Sequence, residues 1–191
     1  MYYEKKNKKY YINTQKYQKT YSMKFGTVLV YLVLFYIFME IVSVIYAHLW
    51  NTGNVLPVND RLFFIVTVFI GIIIHELIHA VCAAIFSPNG FKNIKIGLSL
   101  KSFVAYCNIN EDLKIKHYKI ITIMPFIILG ILPVVISFFE GRNVFFHFGR
   151  ILSIGSIGDL ILFYWLCKEK NNYWVKDTEG TKKLEIIVFE Q

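Results

Sequence analysis

The fold is decided by residues 62–86, which read LFFIVTVFIGIIIHELIHAVCAAIF. A helix of about 20 predominantly apolar residues crosses the hydrocarbon core of a bilayer, and this run is long enough to do so. Inside it lie three ionisable side chains, His75, Glu76 and His79, which form an H-E-x-x-H motif. The stretch therefore predicts a membrane helix that carries a polar centre.

The spacing of the motif suits a metal ion. On a helix His75 and His79 leave the same face one turn apart, and tetrahedral zinc takes neutral imidazole nitrogens at about 2.0–2.1 Å. Glu76 leaves the helix beside them, where it can take a proton from water. The alternative is a polar face that hydrogen-bonds to other helices without a metal. Each ionisable group costs about 2.5–3.5 kcal/mol at mid-bilayer, so three together favour a compensating partner such as Zn²⁺.

The composition is that of an integral membrane protein. Hydrophobic residues make up 55% of the 191 residues and charged residues only 18%, a combination not expected of a soluble domain. The net charge of +8 lies in segments that flank apolar runs, so it indicates a lipid bilayer as partner and no nucleic acid. The three cysteines are an odd number and lie in or beside predicted spans, which indicates no disulfide framework.

Four apolar segments predict membrane helices, at residues 25–50, 62–86, 120–139 and 146–167. Pro125, Gly130 and Pro133 interrupt the third segment, and membranes tolerate such breaks where neighbouring groups bind the freed carbonyls. Between the second and third segments, apolar and polar residues alternate over 94–101, and residues 103–107 are a candidate partner strand. The predicted fold class is an all-α membrane protein with about four transmembrane helices and a short β-hairpin after the second.

The distribution of lysine predicts the orientation of the chain. Lysine is concentrated in residues 1–24, 92–119 and 168–183. By the positive-inside rule, both termini of this multi-pass protein of the cell membrane are cytoplasmic. We expect three parts: a basic cytoplasmic arm (1–24), a four-span metalloprotease-like domain (25–168) and a cytoplasmic tail (169–191). The arm is expected to bind anionic lipid headgroups; a nucleic-acid-binding arm is the alternative, which nothing else in the chain supports.

A third metal ligand is expected on the fourth segment. Asp159 follows a face of small residues, including Gly155 and Gly158, that would let this helix approach another closely. Counted from the cytoplasmic ends of their helices, Asp159 and His79 lie at the same depth of about 13–14 Å. Cys82 is considered as a fourth ligand, but a closed site leaves no open position for catalysis, so packing is the preferred interpretation.

The remaining polar residues are given structural interpretations. Glu40, inside the first segment, is a buried hydrogen-bonding group facing the bundle or, as the alternative, a proton or substrate contact. His117 and His147 are interpreted as interfacial residues. Asp177 and Gly180 are expected to form a turn before a C-terminal strand.

Together the motifs resemble a known group, the bacterial membrane zincin peptidases, which are related to the site-2 intramembrane metalloproteases. The resemblance covers about residues 60–168 and includes the H-E-x-x-H span, Ala105-Tyr106, Pro125-Phe126 and Gly158-Asp159. In site-2 proteases the last motif reads Asp-Gly, and its aspartate is the third zinc ligand. Here the order is reversed, so the resemblance implies the ligand role for Asp159 and no role for a following glycine. It also implies zinc and peptide-bond hydrolysis.

The leading hypothesis is an intramembrane zinc metalloprotease that cleaves a membrane protein or peptide substrate. Zinc held by the two histidines and Asp159 would activate water, and Glu76 would act as general base and then acid. Tyr106 and Asn108 are candidates for positioning the scissile carbonyl or stabilising its oxyanion. The rival hypothesis is a non-catalytic metal-binding membrane protein, a carrier or an inactive scaffold, which has no need of Glu76.

The lysine distribution makes a prediction about topology. Reporter domains fused after residue 20 and after residue 170 should both report the cytoplasm, because the lysine-rich segments stay inside. A reporter inserted in residues 51–61 should report the opposite side. An external carboxyl terminus would mean that one of the four segments does not cross the membrane.

Overall fold

A computed structural model describes residues 17–51, 61–99, 104–177 and 185–190. Within these ranges the chain is mostly helical, with some short strands. The helical segments are α1 (Phe25–Trp50), α2 (Arg61–Phe86), α3 (Ile115–Pro125), a π-helical segment (Phe126–Ile131), α4 (Leu132–Glu140), α5 (Asn143–Gly155) and α6 (Ile157–Cys167). The strands are β1 (Gln18–Ser22), β2 (Ile94–Ser99), β3 (Val104–Ile109), β4 (Leu113–Lys114), β5 (Trp174–Asp177) and β6 (Glu185–Phe189).

Three helical stretches are long and apolar enough to cross a membrane: Phe25–Trp50, Phe64–Phe86 and Ile115–Glu140. The helices α5 and α6 pass the same test only as a pair, which is bent by 55°. Many large apolar side chains of α1 and α2 are exposed, the arrangement expected of helices whose surroundings are lipid. The described part of the chain therefore has three to four apolar helices able to span a membrane, and these correspond to the predicted segments.

The third stretch runs through its prolines without a break. Pro125 ends α3, the chain continues as the π-helical segment, and Pro133 lies in the first turn of α4. At the end of the π-helical segment the backbone N–H of Leu132 donates to the carbonyl of Ile127, five residues earlier. Proline has no backbone N–H and cannot make the regular helical hydrogen bond, and a wider π turn lets the helix continue past it. The predicted interruption is therefore a local widening of one helix.

The fourth predicted segment is bent at Ser156, between α5 and α6. The Ser156 hydroxyl donates to the Leu152 carbonyl at 2.8 Å, the back-bonding that often bends a helix. Asp159 lies in the first turn of α6, immediately after the bend. The bend therefore sets the direction in which Asp159 leaves the helix.

The strands form two sheets. The strands β2 and β3 pair as antiparallel neighbours, from Ile94 opposite Ile109 to Ser99 opposite Val104, and residues 100–103 between them lie outside the described ranges. The second sheet is antiparallel in the order β1-β6-β5-β4. It joins residues before α1, between α2 and α3, and after α6. The arm and tail that the sequence analysis treats separately thus share one sheet, while residues 1–16 of the arm lie outside the described ranges.

The turn after α2 is held by Glu111. Its carboxylate accepts hydrogen bonds from Asn93 Nδ2 at 2.8 Å and from the side chains of Ser87 and Asn89. These bonds, led by that of the Ser87 hydroxyl, lower the pKa of Glu111. Because Ser87 directly follows α2 and Asn93 precedes β2, this contact fixes the start of the hairpin relative to the motif helix.

Glu40 on α1 pairs with Arg150 on α5. Arg150 Nη2 donates to the Glu40 carboxylate, and Arg150 Nη1 donates to Ser43 Oγ at 3.1 Å. A carboxylate within an apolar helix needs such a partner. The contact fits the first interpretation of Glu40, a hydrogen-bonding group that faces the bundle.

Helix packing is closest at three glycines. A Cβ built on Gly71 would lie 2.7 Å from Leu152 Cδ1, one on Gly149 would lie 2.6 Å from the Gly130 carbonyl oxygen, and one on Gly130 would overlap Ser153 Oγ. A Cβ built on Gly155 or Gly158 would meet no atom within 4 Å. The prediction that Gly155 and Gly158 allow close helix approach is therefore wrong: the contacts with α5 lie along its earlier turns.

These contacts predict different effects of two alanine substitutions in α5. Gly149→Ala should reduce the free energy of unfolding by about 1–3 kcal/mol, because its methyl group would overlap the backbone of the π-helical segment. The loss would be seen as a lower midpoint of thermal unfolding in detergent. Gly155→Ala is the matched control, and it should leave the midpoint unchanged or slightly raised, since alanine favours helix over glycine by about 1 kcal/mol. Equal effects of the two substitutions would contradict this packing.

Candidate metal centre

Three side chains converge on one point, and we call His75, His79 and Asp159 the triad. Asp159 Oδ2 lies 3.0 Å from His75 Nε2 and 3.5 Å from His79 Nε2. The two Nε2 atoms lie 3.2 Å from each other. The structure thus brings together the three residues that the sequence analysis proposed as ligands, although Asp159 is 84 residues from His75 in the chain.

The shape of the triad fits a tetrahedral metal ion. Two ligand atoms at about 2.05 Å from a tetrahedral zinc lie about 3.3 Å apart, and the three observed separations bracket this value. Two imidazole nitrogens and one carboxylate oxygen are donors that zinc accepts. Three protein ligands occupy three vertices of the tetrahedron, so one coordination position stays open. The residues present therefore fit a zinc ion.

Two helices supply the triad and a third orients it. His75 and His79 lie one turn apart on α2, and the bend at Ser156 directs Asp159 of α6 toward them. His79 Nδ1 donates to the backbone carbonyl of Ile121 on α3 at 2.8 Å. This bond fixes the tautomer of His79 and leaves its Nε2 lone pair facing His75 and Asp159.

Glu76 is adjacent to the triad. It follows His75 on α2 and is partly buried. Its carboxylate interacts electrostatically with both imidazoles and with Asp159. Among the described residues, the group of ligand atoms that could share a metal ion consists of the triad without Glu76. A carboxylate close to the triad but outside the ligand set leaves the predicted proton-transfer role of Glu76 a prediction.

The other ring and thiol groups considered in the sequence analysis lie apart from the triad. Cys82 is partly buried and packs against the buried core. The His117 ring stacks on Phe86 at 4.5 Å, and the His147 ring makes an edge contact with Phe64 at 6.4 Å.

The hairpin places a different side chain near Glu76 from those predicted. Tyr106 is exposed, and its ring covers Gly97 of the neighbouring strand. Asn108 Nδ2 reaches Asn110 Oδ1 at 3.5 Å, the limit of a hydrogen bond. Between them Cys107 points to the opposite face of the strand, where burial, with a smaller effect of the Glu76 charge, raises the pKa of its thiol to about 12. The roles of Tyr106 and Asn108 stay predictions; the alternation of the strand was the signal that could have found Cys107.

Asp177, which was expected in a turn, makes hydrogen bonds that were not predicted. It ends β5, and its carboxylate accepts hydrogen bonds from the Tyr118 hydroxyl and, at 3.2 Å, from the backbone N–H of Ile109. Burial raises the pKa of this carboxyl, although both hydrogen bonds act to lower it. Asp177 is therefore a hydrogen-bond acceptor that links β5 to α3 and to the hairpin. Gly180 of the predicted turn lies outside the described residues.

Comparison with known proteins identifies a family. No curated protein and no solved structure matches the chain. A family model described as "Putative zincin peptidase" matches residues 68–174, which is more than half of the 191 residues and includes both the H-E-x-x-H motif and Asp159. The family description suggests a zinc metalloprotease. The chain belongs to the "Putative zincin peptidase" family.

Proposed function

We propose that the protein is an intramembrane zinc metalloprotease that hydrolyses peptide bonds of membrane-associated substrates. The observation that carries the proposal is the triad, whose three donor atoms stand at the separations of a tetrahedral zinc site with one position open. Family membership supports zinc and peptide hydrolysis. The position of the triad on apolar helices supports an intramembrane site.

Each residue of the site has a chemical role in this proposal. His75, His79 and Asp159 would hold the ion, which when bound would polarise the scissile carbonyl and acidify water at the open position. Glu76 accepts the proton of the attacking water as its oxygen bonds to the carbonyl carbon. The same carboxyl then gives the proton to the amide nitrogen as the C–N bond breaks. The Ile121 carbonyl keeps the His79 imidazole oriented throughout.

The depth of the site supports access from one side. From His79 to the end of α2 at Phe86, and from Asp159 to the end of α6 at Cys167, the rise is about 10–12 Å at 1.5 Å per residue. The hairpin follows that end of α2, and the four-stranded sheet follows that end of α6. Water and the substrate backbone are therefore expected to enter from the sheet side, the predicted cytoplasmic side.

The four-stranded sheet supports four crossings of the membrane. It pairs β1, which precedes α1, with β6, which follows α6, and it also contains β4 between α2 and α3. Strands of one sheet lie on one side of a membrane, because a sheet cannot be divided by the hydrocarbon core. Three crossings would place β1 and β6 on opposite sides, so in the proposed topology the bent α5–α6 pair is the fourth crossing.

We further propose kinship with the site-2 proteases. It is supported by a histidine pair on one apolar helix and an aspartate from a later one, which meet at one point. The reversed order Gly158-Asp159 is compatible with this geometry, since Gly158 has open space beside it and contributes no contact to the triad.

The first prediction for this function concerns Glu76. Glu76→Gln should retain zinc at the wild-type ratio and lower the turnover of an engineered membrane substrate by about 10²–10⁴-fold, because an amide cannot carry the proton. Zinc would be measured by elemental analysis of the purified protein. Glu140→Gln, which alters an exposed carboxylate at the end of α4, is the control. Loss of zinc together with activity would make Glu76 a ligand, and hydrolysis by neither the wild type nor the variant would favour the non-catalytic carrier or scaffold.

The second prediction concerns Asp159. Asp159→Ala leaves two imidazoles, so zinc affinity in a competition titration with a chelator should fall by more than about 100-fold, beyond the loss typical of outer residues. Asp112→Ala, in the loop before β4, should bind zinc like the wild type. Full zinc retention by Asp159→Ala would remove this carboxylate from the site.

A further inference from the structure

Asp177 joins three separate parts of the protein. It is the last residue of β5, it accepts a hydrogen bond from the first turn of α3 through Tyr118, and it accepts another from the end of β3 through Ile109. Tyr118 and Ile109 are both buried, with 6% and 4% of their surfaces exposed. A carboxylate in such surroundings is costly unless it is paired, so these two bonds define where Asp177 can lie.

The hydrogen bond to Tyr118 connects Asp177 to the triad through helix α3. Tyr118 and Ile121 lie three residues apart on this helix, and Ile121 is buried with 2% exposure. The carbonyl of Ile121 is the acceptor for His79 Nδ1 at 2.8 Å. A shift of the first turn of α3 would therefore move the group that orients the His79 imidazole.

The hydrogen bond from Ile109 connects Asp177 to the surroundings of Glu76 through strand β3. Asn110 N–H donates to the Asn93 carbonyl, so the pair Asn93–Asn110 is hydrogen-bonded across the hairpin. In an antiparallel pair the next residue, Ile109, directs its N–H outward, and this is the N–H that Asp177 accepts. Cys107, two residues earlier, projects from the same face of β3 as Ile109, and β3 packs against α2, the helix that carries Glu76. Asp177 therefore also holds the strand that lies beside the proposed general base.

The attachment of β5 itself does not depend on Asp177. Val175 is fully buried and pairs with Leu113 of β4 and Val188 of β6. The backbone N–H of Ile115 donates to the Tyr173 carbonyl at 2.9 Å. These contacts fix the strand to the helices, so the two bonds of Asp177 are available for positioning and can be removed separately.

We propose that Asp177 is a positioning residue of the metal centre, which acts through Tyr118 on the α3 carbonyl that orients His79 and through Ile109 on the strand beside Glu76. The proposal rests on the proposed function, in that it takes the triad as a metal site. It assigns the cytoplasmic tail a part in the geometry of a site formed by the apolar helices.

The test is the visible absorption spectrum of the cobalt(II)-substituted protein, which reports coordination geometry without any substrate. Asp177→Asn keeps the size of the side chain but cannot accept both hydrogen bonds, so it should change the cobalt spectrum and lower zinc affinity by about 10–100-fold. Tyr118→Phe removes one donor alone and should change both in the same direction by less. In the double variant, the changes in the cobalt spectrum and in zinc affinity should be smaller than the sum of the changes in the single variants, because both substitutions break the same hydrogen bond.

Val175→Ala is the matched control, since it loosens the same strand without touching either hydrogen bond. It should lower the unfolding midpoint and leave the cobalt spectrum of the folded protein unchanged. A wild-type cobalt spectrum and zinc affinity in both Asp177→Asn and Tyr118→Phe would overturn the proposal. So would a spectral change in Val175→Ala equal to that in Asp177→Asn. Failure of the wild type to hydrolyse any substrate would refute the proposed function alone, because the cobalt comparison would still decide the role of Asp177.

Discussion

The structure depends on the need to keep two imidazoles and a carboxylate in contact inside an apolar bundle. Each group alone would cost about 2.5–3.5 kcal/mol at mid-bilayer depth, so none is stable there without the others or a cation. Their donor atoms come from helices α2 and α6 and must agree in position to within a fraction of an ångström to share an ion. This requirement constrains every element that places α6 against α2.

Close packing and one bend satisfy that constraint. Gly71 on α2 lets α5 approach it, and Gly149 lets α5 approach the π-helical segment at Gly130. The bend at Ser156 then redirects the chain so that α6 presents Asp159 to the histidines. A hydrogen bond from His79 Nδ1 to the Ile121 carbonyl of α3 completes the arrangement. Rigid contacts of this kind suit a site whose geometry must not depend on the surrounding lipid.

Local properties of the sequence predicted the helices, the candidate ligands and the alternation of β2. Apolar length is a property of a short segment, so α1 and α2 follow the predicted bounds closely. Which glycines make contact depends on the packing of whole helices, and for that reason Gly155 and Gly158 were the wrong choice. The hydrogen bonds of Asp177 were not predicted, because its partners lie 59 and 68 residues away in the chain. The bend at Ser156 had a signal in the Gly155-Ser156 pair, since such pairs often kink helices.

The four-stranded sheet has a consequence for biosynthesis. Its strand β1 is made before α1, yet its partner β6 is made only after α6. The order of synthesis therefore leaves β1 without β6 while the apolar helices are made one after another. Pairings between such distant segments form late, because the chain between them must first be ordered. Closure of the sheet thus follows the synthesis of all the described helices, and until β5 is made the metal centre lacks the hydrogen bonds of Asp177.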